Sequence, residues 1–176
     1  MLEHSKAIAA AALLTVAISA AAAETLLPWK GGPTPALALR NPAGQPVDLV
    51  QLRGKVVLVN FWATWCAPCV EEMPALARLR ARLAPRGFEV LAVNQGEMPA
   101  RVTAFVERTG LDLAILLDRE KSVARQWKVR ALPTTFVVDA KGRIRLYAEG
   151  ELDTGPALEA ALVPLLPRER PTNASR

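Results

Sequence analysis

Hydrophobic and polar positions alternate along this chain with two different periods, and the places where the period changes mark out its elements. Val56-Val57-Leu58-Val59-Asn60-Phe61-Trp62 is an uncharged, β-branched run that predicts a strand buried on both faces. Directly beyond Cys66, apolar residues recur at Met73, Leu76, Leu79 and Leu83, the three- and four-residue steps of a helix. Pro74 should bend that helix, and Pro85-Arg86-Gly87 should stop it. Phe88 to Asn94 predicts the next strand. A helix follows, with Val102, Phe105, Val106 and Thr109 on one face and Gly110 as its cap. Leu113 to Leu117 predicts a third strand and Ser122 to Trp127 a short helix. Phe136 to Asp139 then turns through Lys141-Gly142 into Arg143 to Ala148, an expected antiparallel edge strand. The last helix carries Leu158, Ala161, Leu162, Leu165 and Leu166 on one face.

Before the central strand, Ala36 to Leu39 and Pro46 to Leu49 flank Asn41-Pro42-Ala43-Gly44 and read as a small β-hairpin. Leu49 to Gly54 leads on as a loop or a turn of helix. The strand–helix–strand–helix–strand order, closed by a hairpin and a helix, predicts an α/β fold: one mixed sheet with helices on both faces. Residues 24–35 are rich in Pro and Gly and are expected to be an extended linker. The domain itself should run from 36 to 167, and residues 168–176 are expected to be a disordered polar tail.

Composition narrows the function. The chain has 176 residues, 51% of them apolar, with a net charge of +5. Residues 1–23 carry Lys6, then the Ala/Leu/Val/Ile run from Ala7 to Ala20, then Ala21-Ala22-Ala23, the pattern of a secretory signal peptide. Cleavage after Ala23 is expected, with an uncleaved membrane anchor as the alternative; either places the domain in an extracytoplasmic compartment, a bacterial periplasm. Loss of that segment leaves the net charge unchanged, because Lys6 and Glu3 leave together. The arginines are scattered and not interleaved with aromatics, which argues against nucleic acid. His4 is the only histidine and lies in the signal. Cys–His proteolysis and Cys/His zinc sites are therefore excluded from the domain.

The candidate chemistry sits where strand meets helix, at Cys66-Ala67-Pro68-Cys69. A helix N-terminus offers free N–H groups and the positive end of the macrodipole, so Cys66 is the sulfur favoured as thiolate. Cys69, three residues on, can close a disulfide with it. A purely structural staple is the alternative, although a two-residue loop restrains little unfolded-chain entropy.

The order of elements, with Phe61-Trp62-Ala63-Thr64-Trp65-Cys66-Ala67-Pro68-Cys69, Glu72-Met73-Pro74 and Leu132-Pro133-Thr134-Thr135-Phe136, resembles the thioredoxin fold, and within it the TlpA/ResA-type extracytoplasmic reductases. That resemblance implies a three-layer α/β/α sandwich with the hairpin as an N-terminal extension. It implies a cis Leu132–Pro133 bond beside the dithiol, a Leu132 backbone open to an extended substrate, and Trp65 and Pro68 bordering the docking surface. Asn60 stands where cytosolic thioredoxins carry a buried Asp. Val93-Asn94-Gln95-Gly96-Glu97 resembles a segment bearing a carboxylate near the dithiol, which makes Glu97 the candidate proton partner of Cys69; an ordinary loop carboxylate is the other reading. Trp62, Trp127 and Phe136 read most simply as core.

The implied activity is thiol–disulfide exchange on protein substrates, apocytochrome c or copper-site assembly proteins, recharged by a membrane thiol donor of the DsbD/CcdA kind. No cofactor beyond the Cys66–Cys69 pair is expected. A disulfide-donating oxidant of the DsbA type and a non-enzymatic copper carrier are the alternatives. The carrier reading lacks the Cys-x-x-x-Cys plus His of copper chaperones on this fold. A peroxidase is disfavoured by the absence of Pro-x-x-x-Thr-x-x-Cys.

Overall fold

A computed structural model describes residues 25–167; the expected signal peptide and polar tail lie outside that range. The organising strand is β4 (Val56–Trp62), in which every residue is buried. Both of its neighbours pair along nearly its whole length, β5 (Phe88–Gln95) in parallel and β7 (Thr134–Val138) antiparallel. That explains the absence of alternation in its sequence: with sheet on both sides and helices on both faces, no position meets water. β6 (Ala114–Asp118) continues in parallel beyond β5. β8 (Ile144–Glu149) lies beyond β7.

The hairpin of β2 (Ala38–Arg40) and β3 (Pro46–Asp48) extends the sheet past β6, through the pairing of Arg40 with Leu117. The full order is β1-β8-β7-β4-β5-β6-β2-β3, a mixed eight-stranded sheet. α1 (Ala67–Leu83), α2 (Pro99–Thr109) and α4 (Pro156–Leu162) cover one face, meeting Leu58, Trp62, Val90 and Ala92. α3 (Ser122–Gln126) covers the other, over Val59, Phe61, Leu91 and Phe136. The three-layer arrangement is that of the thioredoxin fold.

One feature departs from the sequence reading. β8 is not an edge strand, because Leu27–Pro28 forms β1 along its outer side, with Leu27 opposite Tyr147 and Pro28 opposite Leu146. The stretch expected to be a linker is thus docked. Trp29 anchors it, with ring centroids 5.5 Å from Phe136 and 5.4 Å from Tyr147, both edge-on, and the Thr34 hydroxyl accepts from the Ile144 N–H at 2.8 Å. A proline is tolerated here because β1 is now the outermost strand and its missing donor is not needed. α1 continues through Pro74 as one helix to Leu83. Its inward residues Met73, Leu76 and Leu79 are buried, so tertiary packing carries the helix across the lost hydrogen bond.

Candidate active site

α1 begins at the C-terminal end of β4, and Cys66 is its N-cap, in an extended conformation (φ −87°, ψ 99°) with Pro68 in the first turn. The Cys69 N–H donates to the Cys66 Sγ at 3.4 Å. That contact and the helix dipole both favour negative charge on Cys66 once the disulfide is opened. The two residues form a disulfide with Cα atoms 5.3 Å apart. Cys66 is 5% exposed and Cys69 fully buried, so only the first sulfur can be reached from outside. Among the described residues no cluster of three or more Cys, His, Asp or Glu side chains could hold a metal ion.

The aromatic residues around the pair divide sharply. Trp62 is completely buried and leans on Phe105 at 5.4 Å between ring centroids, a core residue behind the cysteines. Trp65, directly before Cys66, is 64% exposed, an unusual position for an indole with no core to fill. The Leu132–Pro133 bond is cis. Pro133 O accepts from the Gly150 N–H at 2.8 Å, and Ala131 O accepts from the Thr134 hydroxyl at 2.7 Å, which pins both ends of the loop. Leu132 packs on the cluster that contains Cys66, Cys69 and Trp62. Among the described residues its own N–H and C=O have no backbone partner.

Glu97 sits in the loop after β5, beyond Gly96, whose φ of +77° makes the turn. Its carboxylate accepts from the Thr64 N–H (2.7 Å), the Thr64 hydroxyl (2.6 Å) and the Asn94 amide (2.7 Å), and pairs with Arg101 at 2.9 Å. Burial works to raise its pKa. The Thr64 and Asn94 hydrogen bonds and the Arg101 charge outweigh that and hold it below the ordinary glutamate value. The group is an ionised clamp on the turn that enters the Cys66 cap.

Glu72, which the sequence shows only as part of the Glu72-Met73-Pro74 motif, has a larger place in the structure. It lies on α1 one turn after Cys69 and is 3% exposed. One oxygen accepts from the Asn60 amide at 2.6 Å and the other from the Leu152 N–H at 2.8 Å. Burial is the dominant influence and pushes its pKa up to about 7, against the pull of those two hydrogen bonds. A signal for it was present: position 72 falls on the inward stripe of the helix with Cys69, Met73 and Leu76, and a carboxylate is out of place there.

A cysteine at a helix cap, a buried partner one turn on, a cis-proline loop against both and this sheet order together are the fold and site of a thiol–disulfide oxidoreductase. Residues 31–147 match the AhpC/TSA family, and the chain belongs to that family. It is 39% identical over 122 residues to the thiol-disulfide oxidoreductase ResA of Geobacillus thermodenitrificans, covering 69% of this chain and 70% of the relative. It is 35% identical over 123 residues to the ResA of Bacillus subtilis, covering 70% and 69%. Among solved structures, one described as a thiol:disulfide interchange protein DsbE from Chlorobium tepidum superposes with a TM-score of 0.68 at 29% identity, covering 79% of this chain and 96% of that one.

Proposed function

We propose that this protein is an extracytoplasmic reductant of protein disulfides. The observation that carries the reading is the asymmetry of the pair: a reachable Cys66 at the helix cap above a sealed Cys69. In the dithiol form the Cys66 thiolate attacks one sulfur of a substrate disulfide. A mixed disulfide forms and the other substrate sulfur leaves as thiolate, to be protonated by water. The substrate chain lies along Leu132, whose free N–H and C=O offer strand-like pairing. Cys69 then loses its proton and attacks Cys66 Sγ. The second substrate thiolate leaves, and the two electrons remain in the substrate while Cys66–Cys69 becomes the disulfide.

The buried second thiol needs a base within reach, since Cys69 is fully buried. Glu72, one turn along the helix with a pKa near 7, has the proton affinity for that task. Glu97 was the sequence candidate for it. Its low pKa and full set of donors support a different role, holding Thr64 and hence the Cys66 turn in place.

The apolar segment before residue 24 supports export, with or without retention of a membrane anchor. Recharging then falls to a membrane thiol donor of the DsbD/CcdA kind, and apocytochrome c or copper-site assembly proteins are the substrates we propose.

The test is the equilibrium potential of the pair against glutathione, across pH. A value of about −230 to −270 mV supports a reductant, and one near about −120 mV would make the protein a disulfide donor instead. Glu72→Gln should alter the pH dependence of the potential around neutrality, whereas Glu97→Gln should not.

A further inference from the structure

On the α3 face of the sheet, away from Glu72, lies a pocket of about 590 Å³, a volume typical of ligand sites. Its walls are aromatic: Trp29 from the docked N-terminal segment, Trp127 after α3, Phe136 of β7 and Tyr147 of β8. Neither indole has a spare donor, since Trp29 Nε1 donates to Gly32 O at 2.9 Å and Trp127 Nε1 to Ala36 O at 3.1 Å. Trp127 and Phe136 are 1% and 2% exposed and form the floor, so the ring surface offered to an apolar occupant is that of the half-buried Trp29 and Tyr147.

The pocket's position ties it to the dithiol. Arg130 and Thr134 both line it, and they bracket the Leu132–Pro133 loop on which the substrate chain is expected to lie. Its rim is cationic. Arg130 is already neutralised by Glu149, with two contacts of 3.1 and 3.0 Å. Lys30 and Lys128 also line the pocket, are exposed, and take part in no ion pair among the described residues. Lys128 moreover sits at φ +58°, in the left-handed region that costs a side-chain-bearing residue free energy.

We propose that this pocket is a substrate subsite. It takes a bulky aromatic or aliphatic side chain of the polypeptide under reduction, a few residues from the target cysteine, with an acidic residue beside it facing Lys30 and Lys128. The inference rests on the reductase reading above and deepens it: a chain paired along Leu132 continues past Thr134, advancing roughly 3.3 Å per residue, and meets the aromatic walls first. The N-terminal segment supplies one of those walls, so the subsite exists only when β1 is docked.

The experiment uses cysteine peptides in mixed disulfide with glutathione, in which a Phe-Asp pair is walked through the second to fifth positions from the cysteine. The reduced protein should cleave at least one register about tenfold faster in kcat/KM than the Ala-Ala peptide. Phe-Lys in that register should fall below Phe-Asp, and the double variant Lys30→Glu/Lys128→Glu should reverse the order of those two peptides, by roughly fivefold. Lys128→Gly should raise Tm while weakening the acidic preference, a combination that damage to the fold would not produce.

A panel flat in every register, or an acidic preference untouched by the double variant, overturns the subsite. Reduction of a small aromatic disulfide such as dithiobis-nitrobenzoate separates the two claims. If it proceeds while the panel is flat, the reductase stands and the subsite falls. If it fails, binding of the serine counterparts of the same peptides, read from tryptophan fluorescence, judges the subsite alone: a Phe-Asp preference supports it and equal affinities overturn it.

Discussion

Glu72 and Glu97 are both nearly buried, at 3% and 8% exposed, yet their neighbours drive them in opposite directions. Around Glu72 the loss of water dominates, and the folded pKa rises from 4.5 to about 7. A carboxyl raised on folding costs nothing below its unfolded pKa, and its penalty grows as pH rises through the window from 4.5 to about 7. The full penalty above that window is roughly 3 kcal/mol. Glu72→Gln should therefore stabilise the protein by roughly 1–3 kcal/mol at pH 8 and leave it unchanged near pH 4, as read by urea unfolding. The amide can be accommodated, because Asn60 Oδ1 has no partner and can accept from it.

Glu97 behaves oppositely. Its folded pKa is depressed, so its contribution is present above the unfolded value and lost as pH falls through the folded one. Glu97→Gln should cost about 2 kcal/mol at neutral pH, with the difference shrinking in acid. Neither sign was legible in the sequence. Val93-Asn94-Gln95-Gly96-Glu97 shows a carboxylate near the motif, but not that Thr64 and Arg101 surround it, since those contacts join residues 33 apart and across α2's first turn.

At the scale of elements, the helix and strand periods predicted β4, α1, β5, α2, β6 and β7 within a residue or two. These segments have long apolar stripes, and packing agrees with local preference. The misreading fell on residues 24–35, where Pro and Gly obscure any period and the strand is two residues long. Side chains on both faces hold that element, Leu26 on the α1 side and Trp29 on the α3 side. Trp29 contributes the largest ring, edge-on to Phe136 and Tyr147. Trp29→Ala should release β1 at a cost of about 2–3 kcal/mol. Hydrogen exchange should then show faster loss at the residue 29 amide, which donates to Arg145 O at 2.9 Å in the intact fold. β4 amides should keep their relative protection, and the Phe-Asp peptide preference should vanish with the pocket wall.

Taken as a whole, the molecule places its chemistry at one end of the sheet, where β4 delivers Cys66, the loop after β5 delivers Glu97 and the cis-proline loop delivers Leu132. Exposed Trp65 stands beside them and Met98, 61% exposed, begins α2 nearby, so the end that carries the reactive sulfur is also where large apolar groups face outward. A protein partner is the natural occupant of such a surface. Cys69→Ser, which leaves the mixed disulfide at Cys66 unresolved, should accumulate a covalent complex with the substrate that is released by dithiothreitol, read on non-reducing gels and by mass spectrometry. Capture of apocytochrome c supports the maturation role and capture of copper-site proteins the assembly role. Cys66→Ser should capture neither.

The sequence by itself determined the dithiol, its place at a strand–helix junction and the layered α/β architecture. All of these follow from residue type and short-range spacing, which act along the chain. Only the tertiary structure decided which carboxylate is protonated near neutrality, that the N-terminal segment closes the sheet, and that four aromatics from distant positions wall one pocket beside the cis-proline loop. Those properties depend on desolvation and on contacts between residues separated by tens of positions, and no local pattern encodes how much water folding removes from a side chain.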